Sequence, residues 1–223
     1  MSRKTVSSRR AFLKTAAGAG GAWTLGGCRS VPRFRKPGEM LKLGVIGTGG
    51  QGHRDWSEMV DCGNVQIVAL CDVDASMFDG AREWYAKKAL KADFRTYADY
   101  RKMLERERDL DAVLVATPDH THAPAAIQAM KRGCHVYVEK PLVRTIWEVR
   151  YFEKIAKEYG VITQMGNHGS ARDGTRRGIE ILRSGLLGKV TEVHVWTNRP
   201  EISPGNTWGW KQPLKRPEGA DPI

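Results

Sequence analysis

From Leu41 to Met165 the chain alternates short apolar runs with longer amphipathic stretches. Residues 41–46, Leu-Lys-Leu-Gly-Val-Ile, form an apolar run that leads through glycines into a helix-like stretch ending at Val60. Residues 65–72 read as a second buried strand, 75–89 as a helix, 99–107 as a further helix and 112–117 as a strand. In 123–130, Ala123, Ala126, Ile127 and Met130 fall at i, i+3, i+4 and i+7, one face of a helix. Residues 135–140 form a strand pattern. In 145–160, Ile146, Val149, Phe152, Ile155 and Tyr159 share a helical stripe, and 161–165 close the series as a strand. Strands that are apolar throughout and separated by helices imply a parallel sheet covered on both faces. The predicted fold class is therefore α/β, a doubly wound Rossmann-type sheet. In such folds ligands bind beyond the carboxyl ends of the strands, so the residues just after each strand are the ones to read for chemistry.

The pattern changes after Met165. Residues 172–188 predict a helix with a glycine stop, and 189–200 alternate like one strand of an open antiparallel sheet. This is the expected beginning of a second, α+β domain over 166–223. One or two strands cannot form a stable sheet alone, so the chain is expected to be an incomplete piece of a longer protein. Trp196, Trp208 and Trp210 suit either the edge of a sugar site or the core of the missing part.

Residues before Leu41 read differently. Ser8-Arg9-Arg10-Ala11-Phe12-Leu13-Lys14 is followed by a mildly apolar, Ala- and Gly-rich run to Trp23. The run is too short and too glycine-rich to span a membrane, and the order of basic, apolar and small-residue zones fits a twin-arginine signal peptide over 1–27. Leu25-Gly26-Gly27-Cys28 resembles the lipid-attachment box of bacterial lipoproteins, which makes Cys28 a candidate lipid anchor. Residues 28–40 are a basic, Pro-containing linker. Residues 1–39 hold nine Lys and Arg against Glu39 alone, so eight of the eleven net positive charges lie there. The basic pI is thus not a nucleic-acid footprint, and the body shows no basic stripe with interleaved aromatics. Cys28, Cys62, Cys71 and Cys134 show no paired spacing; Cys71 and Cys134 sit in or beside apolar runs as small buried hydrophobes, and no disulfide framework is expected.

Gly47, Gly49 and Gly52 follow the first strand with the spacing G-x-G-x-x-G. Gly47 permits a tight turn, Gly49 lets backbone approach a pyrophosphate, and Gly52 lets the helix pack on the strand. The helix N-terminus offers unpaired N–H groups and a partial positive charge to phosphates. Asp72 ends the second strand, twenty residues after Gly52. A carboxylate there accepts hydrogen bonds from ribose hydroxyls and repels a 2′-phosphate, so NAD is the expected cofactor, with NADP the second choice.

Two further strand ends, Ala116-Thr117-Pro118-Asp119-His120-Thr121-His122-Ala123-Pro124 and Val138-Glu139-Lys140-Pro141-Leu142, complete a distinctive set. Together with the glycine motif they resemble the Gfo/Idh/MocA family of NAD(P)-dependent sugar oxidoreductases, from about Leu41 onward. The resemblance implies that Lys140 faces the nicotinamide and the reacting hydroxyl. It implies that Thr117 and Pro118 pass close to the cofactor, and that His122, Glu139 and Pro141 belong to the same wall. An amine beside a reacting hydroxyl can relay its proton. Pro141 biases Lys140 to extended backbone and so fixes its direction, and Glu139 can orient neighbouring groups. Asn167 and His168 follow the strand 161–165, where substrate would sit; His168 either assists proton transfer or lines the pocket. His120 and His122 lack a third ligand at suitable spacing, so no metal site is expected. His53, His135 and His194 read as structural. A family member would continue into an antiparallel sheet bearing an Asp-x-x-x-His pattern, and no such pattern follows Lys140 here.

The expected activity is hydride transfer between a nicotinamide cofactor and a sugar- or polyol-like substrate. Two alternatives stand beside it: glycoside cleavage through transient oxidation, and a non-catalytic nucleotide- or sugar-binding protein. A full-length version is expected to be a homo-oligomer. The twin-arginine machinery carries folded proteins, so a cofactor loaded in the cytoplasm can travel with its protein to the periplasm or cell envelope. Arg9→Lys combined with Arg10→Lys should leave the protein in the cytoplasm on cell fractionation; unchanged export would remove the twin-arginine assignment. Labelled fatty acid should appear on the wild type and vanish in Cys28→Ala.

Overall fold

A computed structural model describes residues 31–196 apart from position 33. The expected leader, Cys28, Trp208 and Trp210 lie outside the described residues. Six strands and seven helices follow from Leu41: β1 (Leu41–Ile46), α1 (Gly50–Asp61), β2 (Val65–Cys71), α2 (Ser76–Lys87), β3 (Arg95–Tyr97), α3 (Tyr100–Arg106), β4 (Ala112–Val115), α4 (His122–Lys131), β5 (His135–Glu139), α5 (Ile146–Tyr159), β6 (Thr163–Gly166), α6 (His168–Ala171) and α7 (Asp173–Arg183). A single 3₁₀ turn, Asp119–Thr121, precedes α4. The strands form one sheet in the order β3-β2-β1-β4-β5-β6, and all pairs are parallel. After β3 the chain crosses back to place β4 beside β1. The order therefore reverses between β1 and β4, where a ligand crevice opens at the carboxyl edge of such sheets.

Alternate residues of the central strands feed two cores. Leu43, Val45, Leu70 and Leu114 pack with Trp56, Phe78 and Tyr85 from α1 and α2 on one face. Ile46, Val113, Val115, Val136 and Val138 pack with Met103, Met130, Phe152 and Ile155 from α3, α4 and α5 on the other. Burial on both faces is why these strands lack a polar alternation. Cys71 and Cys134 are buried in the second core, as expected. The linker also docks: the Arg35 guanidinium donates to the Asp111 carboxylate at 2.9 Å, and the same oxygen accepts the Lys42 amide at 2.9 Å.

The ends of α5 are set locally. The Thr145 hydroxyl accepts the Glu148 amide at 3.2 Å, while the Glu148 carboxylate accepts the Thr145 amide at 2.8 Å, a reciprocal cap. Gly160 ends the helix in the left-handed region at φ +66°.

The structure departs from the sequence pattern in three places. β3 is not announced by the sequence, because Arg-Thr-Tyr is a short polar edge strand with only Tyr97 partly buried. The stripe on α5 is buried only from Phe152 onward; Ile146 and Val149 are exposed and belong to neither core. The strand expected over 189–200 is not formed over 189–196, where no partner strand exists among the described residues. Without a partner, the N–H and C=O groups of a strand have no ladder to join. After β6 the described residues form α6, α7 and an exposed segment without regular secondary structure.

Candidate functional site

The glycine loop joins β1 to α1 at the carboxyl edge of the sheet. Gly47 has φ +87°, and a Cβ there would lie 2.6 Å from the Ala116 backbone at the end of β4. A Cβ on Gly52 would lie 2.0 Å from the Gly47 carbonyl oxygen. Both positions therefore exclude any side chain, for turn geometry at Gly47 and for helix approach at Gly52. Gly49 is different: its neighbour would be the flexible Met77 side chain. Gly49 is the N-cap of α1 and supplies no side-chain cap, so the first-turn N–H groups of α1 remain available to an anion.

Asp72 completes this cradle. One carboxylate oxygen accepts the Thr48 amide of the glycine loop at 2.7 Å, and the other accepts the Asp74 amide at 3.1 Å. Each oxygen keeps a lone pair for a further donor. Thr48 is fully buried, and its carbonyl accepts the indole N–H of Trp56 at 3.2 Å. Trp56, which the sequence reading did not single out, thus holds the loop from beneath while filling the core between Trp84 and Tyr85. Gly47 donates its amide to the Cys71 carbonyl at 2.8 Å, closing the link between the loop and the end of β2.

The ends of β4 and β5 are tied together by His122. Its Nδ1 lies 2.7 Å from the Pro141 carbonyl and its Nε2 lies 2.7 Å from the Thr117 carbonyl. The ring is buried, so its role here is to hold the two loops in register. At this wall Thr117 is half-buried and Pro118 exposed, and the Thr117 hydroxyl oxygen is buried without a hydrogen-bond partner. A buried orphan hydroxyl beside the glycine loop fits a site that receives a polar ligand. Lys140 is exposed at the carboxyl end of β5, with its amide donating to the Glu139 carboxylate at 3.2 Å. Pro141, also exposed, follows through a cis peptide bond. Of the remaining histidines, His53 packs edge-on against Trp56, and His135 accepts the Ile162 amide at 3.0 Å.

A third group of side chains meets beside Lys140. Glu139 projects from the end of β5, His168 opens α6 after β6, and Asp55 and Gln51 lie one turn apart on α1. His168 Nε2 is 2.9 Å from a Glu139 oxygen, 3.4 Å from Asp55 Oδ1 and 3.3 Å from Gln51 Nε2. The Gln51 amide donates to Asp55 Oδ1 at 2.7 Å. Asp55, Glu139 and His168 each present a ligand atom within 4.8 Å of the others. Burial pushes the Asp55 carboxyl up to about 6, the Gln51 hydrogen bond opposes the shift, and the nearby Glu139 charge adds to it. The Tyr137 hydroxyl behind them is pushed up to about 12, by burial first and then by the Asp55 and Glu139 charges. The sequence reading named Glu139 and His168 but missed Asp55 and Gln51. Their only sequence signal is the i, i+4 spacing on the helix that follows the glycine loop.

The structure therefore groups the predicted residues into three neighbouring sets. Gly47, Gly49, Gly52 and Asp72 form the cradle. Thr117, Pro118, His122 and Pro141 form the adjoining wall, and Glu139, Lys140 and His168 stand at its far end.

Comparison with known proteins gives a consistent result. Residues 41–167 match the family model described as "Oxidoreductase family, NAD-binding Rossmann fold" for Gfo/Idh/MocA proteins. A glycosyl hydrolase family 109 protein of Solibacter usitatus is 32% identical over 198 residues, covering 83% of this chain and 44% of that protein. An alpha-N-acetylgalactosaminidase of Shewanella oneidensis is 30% identical over 158 residues, covering 68% and 34%. The crystal structure of myo-inositol 2-dehydrogenase from Lactobacillus plantarum superimposes with a TM-score of 0.60 at 30% identity, covering 68% of this chain and 43% of that one. The chain spans less than half the length of each of these relatives.

The raised Asp55 carboxyl makes a pH prediction. Folding holds its proton to a higher pH than the unfolded chain does, where the pKa is about 3.9. Its contribution to stability is full below about 4 and lost as pH rises through about 6. Urea midpoints of chelator-treated protein, measured across this window, should fall less with rising pH in Asp55→Asn than in wild type. Parallel curves would show that Asp55 titrates normally.

Proposed function

The chain belongs to the Gfo/Idh/MocA oxidoreductase family with its NAD-binding Rossmann fold, and from that premise we propose that the whole protein is an NAD-dependent enzyme acting on a sugar- or polyol-like substrate. The observation that carries this reading is the Asp72 carboxylate, anchored by the Thr48 amide beside a glycine loop that admits no side chains at Gly47 and Gly52. The free first-turn N–H groups of α1 suit a pyrophosphate, and Asp72 suits a ribose bearing both hydroxyls. When bound, the nicotinamide supplies the acceptor for a hydride from an alcohol carbon.

The chain's own residues supply the rest. Lys140 Nζ takes or relays the hydroxyl proton. Glu139 holds the Lys140 backbone through its amide, and His122 locks the following Pro141 to the cofactor wall. His168, half-exposed at the start of α6, is a second group within reach of the same edge. The domains are 28–40 as linker, 41–165 as the dinucleotide-binding unit and 166–223 as the beginning of a substrate-binding unit. The leader over 1–27 directs export of the folded, cofactor-loaded protein, with Cys28 as the lipid anchor. The complete protein is a homo-oligomer.

A second reading has its own support. The curated relatives include glycosyl hydrolase family 109 proteins, one of them named as an alpha-N-acetylgalactosaminidase. In that reading the same edge oxidises a sugar hydroxyl transiently, a glycosidic bond is cleaved, and the hydride is returned. An exported enzyme has little free NAD available, and this cycle consumes none. Steady absorbance change at the nicotinamide band would mark net oxidation; sugar release without it would mark glycoside cleavage.

Equilibrium titration should show NAD binding more tightly than NADP, by about tenfold or more, equivalent to ~1.4 kcal/mol. Asp72→Ala should shrink this difference, and tighter NADP binding by wild type would overturn the assignment. In the full-length protein, Lys140→Ala should leave NAD affinity within about threefold while slowing the chemical step about a hundredfold. Lys140→Arg should rescue little, because a guanidinium stays protonated. Single-turnover kinetics reads the chemical step directly; a near-normal rate in Lys140→Ala would remove Lys140 from proton transfer.

A further inference from the structure

We propose that Gln51, Asp55, Glu139 and His168 form a binding site for a divalent first-row transition-metal ion. The starting observation is charge. The Asp55 and Glu139 side chains are only 1% and 6% exposed, and neither forms an ion pair with a Lys or Arg among the described residues. Two buried carboxylates without a full cation are costly. One oxygen of Asp55, Oδ2, is buried with no hydrogen-bond partner at all.

The hydrogen bonds around His168 Nε2 cannot all be satisfied by the ring alone. With a proton on Nε2, the ring donates to Glu139 but meets the Gln51 amide nitrogen, also a donor, at 3.3 Å. Without that proton, the ring accepts from Gln51 but turns its lone pair toward two carboxylate oxygens at 2.9 and 3.4 Å. A positive ion at the centre accepts a lone pair from the ring and from an oxygen of each carboxylate at once. Turning the Gln51 amide, whose oxygen and nitrogen are nearly isosteric, presents its carbonyl oxygen as a fourth ligand.

The spacing fits an ion. Ligands about 2.1 Å from a metal, on adjacent tetrahedral or octahedral positions, are separated by about 3.0–3.4 Å. The contacts of His168 with Gln51 and Asp55, 3.3 and 3.4 Å, lie in this range, while those of His168 with Glu139 and of Gln51 with Asp55, 2.9 and 2.7 Å, are shorter and would open by a few tenths of an ångström around an ion. One imidazole with carboxylate and amide oxygens is a borderline donor set that suits Zn²⁺, Co²⁺ or Mn²⁺. Two carboxylates neutralise the ion's charge. The ion would join α1, the end of β5 and the start of α6, so it would clamp the segment after β6 to the sheet edge that carries Lys140.

The test does not involve NAD or turnover, so it is independent of the reading above. Chelator-treated full-length protein is titrated calorimetrically with Zn²⁺, Mn²⁺ and Co²⁺, with the Co²⁺ visible spectrum as a second readout. About one equivalent of at least one ion should bind, and raise the melting temperature. Asp55→Asn should weaken that binding at least about tenfold. His168→Ala, at a half-exposed position on a four-residue helix, should keep the fold while losing about tenfold or more in affinity and the thermal shift. Absence of stoichiometric binding for all three ions overturns the proposal. Undiminished binding in His168→Ala overturns it equally, because the ion then sits elsewhere.

Discussion

The approach of Gly52 to the Gly47 carbonyl governs this sheet edge. With any side chain at position 52, its Cβ would lie 2.0 Å from the Gly47 carbonyl oxygen, so α1 could not lie so close to the end of β1. That approach brings Trp56, one turn further along α1, beneath Thr48, where its indole N–H reaches the Thr48 carbonyl. It leaves the Thr48 amide pointed at Asp72. The same helix, rotated by its fixed 3.6-residue repeat, turns Gln51 and Asp55 toward Glu139. One steric constraint therefore places both the glycine-loop cradle and the acidic group beside Lys140.

The carboxylates at this edge behave differently because of what surrounds them. Asp72 is half-buried, and backbone amides donate to both of its oxygens, which fixes the carboxylate beside the glycine loop. Asp55 and Glu139 are buried against each other with a neutral amide and one imidazole for company. Repulsion and desolvation then favour a proton on Asp55 or a cation between the two. Carboxylates of identical chemistry thus sit in different surroundings at the two ends of the edge, and the backbone amides make the difference.

His122 shows how the two halves of the edge are kept in register. It opens α4, yet its ring spans the loops after β4 and β5 by meeting one carbonyl from each. Without that tie, the position of Pro141, and hence of Lys140 before it, would depend on loop conformation alone. The family relationship over residues 41–167 covers this whole assembly, including His122, Lys140 and the beginning of the segment that carries His168.

The sequence by itself determined the alternation of strands and helices, because strands buried on both faces need unbroken apolar runs and the helices between them need apolar stripes. It also determined the glycine loop and the acidic end of β2, since each depends on residue type at a fixed local spacing. Glu139, Lys140 and His168 were legible for a related reason: they end or follow strands, and the carboxyl ends of parallel strands all lie at one edge. The tertiary structure alone decided which of these side chains meet. Asp55 carries no local mark as a site residue, and becomes one only because β4, β5 and β6 add to the sheet in an order that brings Glu139 and His168 under α1. Likewise β3, a polar tripeptide, is a strand only because Ala69, Leu70 and Cys71 offer it a ladder. The alternating run at 189–196 has no such neighbour among the described residues and forms no strand. Local pattern encodes what a segment can become, and hydrogen-bond partners and burial, both non-local, decide what it is.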